Sequence, residues 1–147
     1  MSGVRFQRGN HVVADLDRAL GFYRDVLGFE VAFTLPHNPD SYSFPVFDIP
    51  REAQLSFCVL STATQERVMA LTEVSGVELA PMPPPRRSAI VLEVDDPDRV
   101  VAGARALGLT VYEEAVLKTK DGRIGREVGI VDHDDNLVVI YKIMGAE

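Results

Sequence analysis

Two stretches decide the fold: residues 15–31 read DLDRALGFYRDVLGFEV, and residues 96–111 read DPDRVVAGARALGLTV. Each contains Asp-x-Asp-Arg, a helical pattern of apolar residues, a Leu-Gly pair and the start of an apolar strand. The second stretch is one residue shorter between its first Asp and its last Gly. Such an internal repeat indicates that one supersecondary unit occurs twice in the chain.

The ends of both stretches predict where each helix begins and stops. Asp15 and Asp96 are suited to cap a helix N-terminus, because a short carboxylate accepts hydrogen bonds from unpaired amides one turn on. Gly28 and Gly108 can adopt the left-handed conformation that ends a helix. Apolar residues at three- and four-residue spacing between these caps give each predicted helix one apolar face.

Segments with strand patterns flank both predicted helices. They are residues 4–13, 29–35, 53–61 and 67–74 in the first half, and 88–94, 109–114, 123–131 and 136–143 in the second. Residues 36–50, which include four prolines, read as a loop with a short element at 44–47. Each half therefore reads βαβββ, which makes the fold class α+β with tandem βαβββ modules. One helix covers only one face of a sheet, so we expect the two curved sheets to pair their other faces into a ligand-binding cleft.

The predicted modules span residues 1–80 and 87–147, with a proline-rich linker at 81–86, and together form one compact domain. The composition supports a packed core, because 46% of the 147 residues are hydrophobic. A net charge of −7 argues against non-specific nucleic-acid binding. No apolar run reaches the length of a membrane span, and the first residues lack a signal-peptide pattern, so a cytoplasmic location is expected.

Residues 14–29 resemble the first helix of the vicinal oxygen chelate superfamily, above all in Phe-Tyr at 22–23 and Leu-Gly-Phe at 27–29. This group includes glyoxalase I, the bleomycin-resistance proteins and the extradiol dioxygenases. Residues 93–98 and 132–137 resemble its second strand-to-helix junction and its last turn. The resemblance covers nearly the whole chain in the right order. It implies the tandem fold and a homodimer, since a partner often completes the cleft in this family.

The resemblance also implies a divalent metal held by His, Gln or Glu from the first and last strands of each half. The matching positions here are Arg8, Ala70, Ala89 and Val139. A permanently cationic guanidinium repels a metal, and the other three side chains offer no donor atom. A slipped register could aim His11 and Glu73 at the cleft together, but two ligands are too few. We therefore predict no metal and no other cofactor.

Alternation along the first strand, in the register that the resemblance implies, turns Arg8, Asn10 and Val12 towards the cleft. Arg8 would then be a buried or half-buried cation that clamps an anionic oxygen of a ligand, or pairs with Glu73 or Glu127. The other predicted ligand-binding residues are Phe57, Ala89, Val139 and Tyr141.

These residues support three hypotheses. The first is a protein of the glyoxalase and bleomycin-resistance type that lacks the usual metal ligands and binds a small organic molecule. The second is a lyase, isomerase or dioxygenase-type enzyme with a divergent metal site or a metal-free acid–base mechanism. Its candidate catalytic residues are Glu73 and His11. The third is a structural dimerisation module whose cleft is filled with side chains.

Overall fold

The structure, a computed structural model, describes residues 3–146. In it, the first repeat forms the helix that its spacing predicts. Helix α1 spans Leu16–Tyr23, and the Asp15 carboxylate accepts a hydrogen bond of 3.0 Å from the backbone amide of Arg18. The chain then turns at Gly28, whose φ of +93° is the left-handed conformation expected there.

The second repeat forms its helix in the same way. Helix α3 spans Pro97–Ala106, and the Asp96 carboxylate accepts from the backbone amide of Arg99 at 3.1 Å. Gly108 follows with a φ of +78°. Both predicted N-terminal boundaries are confirmed, and so is the end of α3 just before Gly108. Helix α1 ends earlier than predicted, at Tyr23, and residues 24–27 continue as turns up to Gly28.

The first sheet contains four strands in the order β1-β4-β3-β2. Their bounds are β1 Gly9–Val13, β2 Glu30–Leu35, β3 Gln54–Ser61 and β4 Met69–Ser75, with the short helix α2, Ser43–Val46, between β2 and β3. Strand β1 runs parallel to β4, whereas the other neighbours are antiparallel. The first strand of the module therefore lies beside its last.

The second sheet repeats this order as β5-β9-β8-β6, again with its first strand parallel to its last. The bounds are β5 Ala89–Glu93, β6 Thr110–Val111, β7 Ala115–Lys118, β8 Arg123–Val131 and β9 Leu137–Ala146. The two mixed sheets and the small number of helices confirm the predicted α+β class with tandem modules.

Three predicted segments differ from the structure. Strand β1 begins at Gly9 rather than at residue 4, because the exposed residues before it contribute no ladder. The element predicted at 44–47 is the helix α2. The strand predicted at 109–114 is interrupted: β6 and β7 both pair with β8, and residues 112–114 leave the ladder between them. An extra residue in one strand is the usual cause of such a break.

The chain divides into two compact units, Met1–Ala80 and Pro81–Glu147. In the first unit, helix α1 buries Phe22 and Tyr23 against its sheet. In the second, helix α3 buries Val100 and Ala104. No helix within residues 3–146 is long and apolar enough to cross a membrane.

Arg126 joins the start of α3 to the break between β6 and β7. Its guanidinium donates to Asp98 at 2.6 Å and to Glu114 at 2.7 Å. These hydrogen bonds lower the pKa of both carboxyls and raise the pKa of Arg126. The carboxyls are exposed, so the network orients the first turn of α3 more than it stabilises the unit.

Candidate functional site

The two faces of the first sheet differ in what they contact. His11 on β1 is buried and its Nδ1 lies 2.6 Å from the hydroxyl of Tyr23 on α1, so this side of the sheet is its α1 face. Successive strand residues point to opposite sides. Asn10 and Val12, and Arg8 just before the strand, therefore belong to the other side, which we call the pocket face.

A pocket of about 170 Å³ lies on the pocket face of the first unit. At about 30 Å³ per molecule, that volume equals roughly five or six waters. The residues that line it come from the end of β2, the segment after it, β3 and β4: Leu35, Pro36, Asn38, Ser41, Ser43, Leu55, Ser56, Phe57 and Thr72. The lining combines an apolar wall with hydroxyl and amide groups, which is the usual make-up of a small-molecule site.

The segment 36–50 forms one side of this pocket and is tied down at two points. Phe44 of α2 is buried in an apolar cluster with Leu55 and Val74, against which Val12 also packs. The Nδ1 atom of His37 accepts a hydrogen bond of 2.9 Å from the backbone amide of Leu55. These contacts hold α2 over the sheet, so the shape of the pocket depends on residues that are distant in sequence.

Asn10 and Thr72 form a polar pair on the pocket face. The Thr72 hydroxyl donates to Oδ1 of Asn10 at 3.0 Å, and Thr72 itself is only 2% exposed. Nδ2 of Asn10 is buried and has no hydrogen-bond acceptor among residues 3–146. A buried N–H without a protein acceptor is costly unless a water or a ligand oxygen accepts from it.

Arg8 is also on the pocket face, but it is exposed, so the expectation of a buried or half-buried cation is wrong. Its guanidinium carbon lies 5.7 Å from the centroid of the Phe57 ring, within cation–π distance. Pairing with Glu73 is also excluded, because Glu73 belongs to the α1 face. The side chain instead reaches across the sheet to the wall of the pocket.

Glu73 anchors the start of α1. One carboxylate oxygen accepts from the backbone amide of Leu16 at 2.6 Å, and the other accepts from the Ser56 hydroxyl at 3.1 Å. In the register, Val13 is opposite Glu73 and His11 is opposite Leu71, so both candidate catalytic residues face α1. The slipped register that would aim them away from the helix is therefore wrong.

In the second unit, the predicted residues Ala89, Val139 and Tyr141 share the sheet face turned away from α3. Ala89 is opposite Leu137, and Tyr141 is opposite Glu93, along the parallel pair β5 and β9. Val138 and Ile140, the alternate residues of β9, are fully buried on the α3 side. Ala89 is exposed, and Val139 and Tyr141 are half-buried.

The residues at the four positions where the resemblance places metal ligands do not fit a divalent ion. Arg8 brings a permanent cation to its position, and Ala70 is a buried methyl group next to Asn10 in the register. Ala89 and Val139 offer the second unit no lone pair. Within residues 3–146, no three His, Cys, Asp or Glu side chains are grouped as ligands.

The chain belongs to the glyoxalase/bleomycin resistance protein/dioxygenase superfamily, whose family model matches residues 7–140. No curated protein sequence matches it significantly. Among solved structures, a glyoxalase-family protein from Bacillus cereus is similar, with 15% identity, a TM-score of 0.73 and coverage of 99% of this chain and 97% of that one.

Two further structures are similar in fold. A fosfomycin resistance protein from Listeria monocytogenes, solved with Mn(II) and sulfate, has 15% identity and a TM-score of 0.60, covering 97% of this chain and 90% of its own. An antibiotic-binding protein from a Streptomyces species has 20% identity and a TM-score of 0.54, covering 97% and 98%. Identities this low show the shared fold alone.

The predicted ligand-binding residues Arg8, Asn10 and Val12 lie on the pocket face but do not line the pocket itself, and most of the residues that do line it were not predicted. Thr72, Ser41 and Ser43 carry no motif, and their spacing predicts nothing about a ligand. Only the tertiary structure brings these three residues together, because α2 must pack over β3 and β4 before they lie near each other. Phe57 was predicted as a ligand-binding residue, and it does line the pocket.

Proposed function

We propose that this protein binds a small organic molecule in the pocket of its first unit without a resident divalent metal. The observation that carries the proposal is the pocket itself, which joins an apolar wall to neutral hydrogen-bonding groups. The donor chemistry at the four family positions supports binding without a metal. The candidate acid–base residues face α1 and are engaged there, so the contacts favour binding over the enzyme alternative.

Elemental analysis of purified, unchelated protein tests the proposal that the protein has no resident divalent metal. We expect far less than one divalent ion per chain.

A thermal-shift screen of small organic compounds tests the pocket, because a ligand at a hundred times its Kd stabilises the folded protein by about 2.7 kcal/mol. Ser43→Phe, which fills the pocket, should abolish the stabilisation, whereas Ser88→Phe, outside it, should not. One tightly held ion per chain, or shifts that Ser43→Phe leaves unchanged, would contradict the proposal.

We also propose that a second copy of the chain covers the face of the second sheet that is turned away from α3. Val91 on this face is 62% exposed and lies beside Val139 in the register. Neighbouring apolar residues on an open sheet face are typical of an interface between copies.

Sedimentation velocity at micromolar concentration tests this dimer. The wild-type protein should sediment as a dimer, and Val91→Asp should shift it to a monomer, because the buried interface would contain an unpaired charge. Val116→Asp is the matched control, since Val116 is 68% exposed but opposite Arg126, on the α3 side. A wild-type monomer would contradict the proposal.

A further inference from the structure

We infer that the ligand of this pocket is a small monocarboxylate with an apolar body, whose anion is held by Arg8 and by Nδ2 of Asn10. The inference rests on the proposed function and narrows it to one ligand chemistry. Its basis is the juxtaposition of an unpaired amide donor, an accessible guanidinium and an apolar wall on one face of the first sheet.

The first of the two donors is the side-chain amide of Asn10. Oδ1 of Asn10 accepts a hydrogen bond from the Thr72 hydroxyl, and Nδ2 is the other end of the amide. Nδ2 is buried, and no described residue provides an acceptor for it. The pocket lining includes Thr72, so a ligand beside Thr72 is close to this amide. An oxygen acceptor on the ligand would complete the hydrogen bonding of the pair.

The guanidinium supplies the charge. Arg8 stacks on Phe57, which lines the pocket, and within residues 3–146 no carboxylate forms an ion pair with it. Gly9, the next residue, donates its amide to the carbonyl of Val68, which ties the chain directly after Arg8 to the strand beside β1. Alternate residues of a strand are roughly 7 Å apart on one face, which lets the Arg8 and Asn10 side chains converge on one anionic group.

The rest of the lining selects the ligand's charge and body. Leu35, Leu55 and Phe57 form an apolar wall, and Ser41 and Ser43 are neutral. Arg8 is thus matched to a single negative charge, and its planar fork fits the two oxygens of a carboxylate. A dianionic phosphate would keep an uncompensated charge against the apolar wall, so the lining favours the carboxylate.

NMR titration of the full-length protein tests the inference, with benzoate and hexanoate as probes. Benzamide and hexanamide are the neutral analogues, and phenylphosphonate is the dianion. We expect the carboxylates to bind about tenfold or more tightly than the amides, because charge-assisted hydrogen bonds exceed neutral ones. The largest shifts should occur at Phe57 and Thr72. Added salt should reduce the difference, since it screens an exposed guanidinium.

Variants separate the two donors from general charge effects. Arg8→Gln should remove the preference for carboxylates over amides, and Asn10→Ala should weaken carboxylate binding. Arg5→Gln is the matched control: it removes one positive charge from the same segment, where the Arg5 side chain donates a hydrogen bond to Gln7, and it should leave the preference for carboxylates unchanged. Thermal denaturation of each variant checks that the fold is retained.

The outcomes distinguish this inference from the proposed function. Equal binding of carboxylates and amides at the pocket, or an unchanged preference in Arg8→Gln, overturns the inference and leaves the proposed binding function standing. Tighter binding of phenylphosphonate than of benzoate also overturns it, in favour of a dianion. If none of the probes shifts the pocket resonances at millimolar concentration, the inference fails, and the thermal-shift screen then decides the proposed function separately.

Discussion

Gly125→Ala is expected to lower the free energy of unfolding by about 3 kcal/mol, the upper range for an added methyl group that forces the backbone to move. Gly125 is buried on β8, next to a register shift in its pairing with β9. A Cβ built there would overlap the carbonyl oxygen of Lys142 and lie 3.2 Å from the Cα of Ile143. Both obstacles are backbone atoms of the neighbouring strand, so no side-chain rotation relieves them. Urea denaturation would measure the loss as a lower midpoint at unchanged slope.

Gly129→Ala, four residues along the same strand, is the matched control. Its added Cβ would meet the Cδ2 atom of Tyr112 at 3.2 Å, and Tyr112 is an exposed side chain that can turn aside. We expect a change within about 1 kcal/mol, since alanine also reduces the entropy of the unfolded chain. If the two substitutions cost the same, the overlap with Lys142 is not what requires glycine at position 125.

Glu73→Ala is expected to destabilise the protein by about 2 kcal/mol, because it leaves two donors without their acceptor. The carboxylate accepts from the first amide of α1 and from the Ser56 hydroxyl, and it lies at the positive end of the helix. Thermal and urea denaturation would measure the loss, and carboxylate binding to the protein that remains folded should be unchanged.

Two comparisons separate this anchoring role from catalysis. Glu66→Ala removes an exposed glutamate from the turn between β3 and β4, and it should be nearly neutral. Glu73→Gln keeps an acceptor oxygen for Leu16 and should recover part of the stability. A Glu73→Gln protein of wild-type stability that has lost a measured activity would favour the acid–base enzyme instead.

The helix boundaries show which features interactions between residues close in sequence can determine. Asp15 and Asp96 cap helices through contacts three residues away. Gly108, in the left-handed conformation, follows the C-cap of α3, whereas α1 already ends at Tyr23, ahead of Gly28. Strand alternation is equally local: it placed His11 on one face and Asn10 and Val12 on the other, and the family resemblance indicated which of the two faces the cleft. Each of these interactions joins residues that are close in sequence, so a pattern in the sequence is enough to predict it.

The pocket depends on contacts of another kind. Leu16 and Glu73 are 57 residues apart, and Asn10 and Thr72 are 62 apart. A glutamate in a strand has the same local pattern whether it caps a helix or meets solvent, so the role of Glu73 could not be read from its neighbours. The segment 36–50 was predicted as a loop with one short element. Only the packing of Phe44 against Leu55 and Val74 makes it a wall of the pocket.

The sequence by itself determined the twofold βαβββ plan, because caps, glycine stops and apolar periodicity act over one or two turns of chain. It also determined that Arg8, Ala70, Ala89 and Val139 are poor metal ligands, since donor chemistry belongs to the residue itself. The tertiary structure decided what the site is made of. It placed Arg8 against Phe57 and Glu73 at the start of α1, and among the described residues it gave Nδ2 of Asn10 no acceptor. Those outcomes depend on the register between distant strands, and only the assembled sheet sets that register.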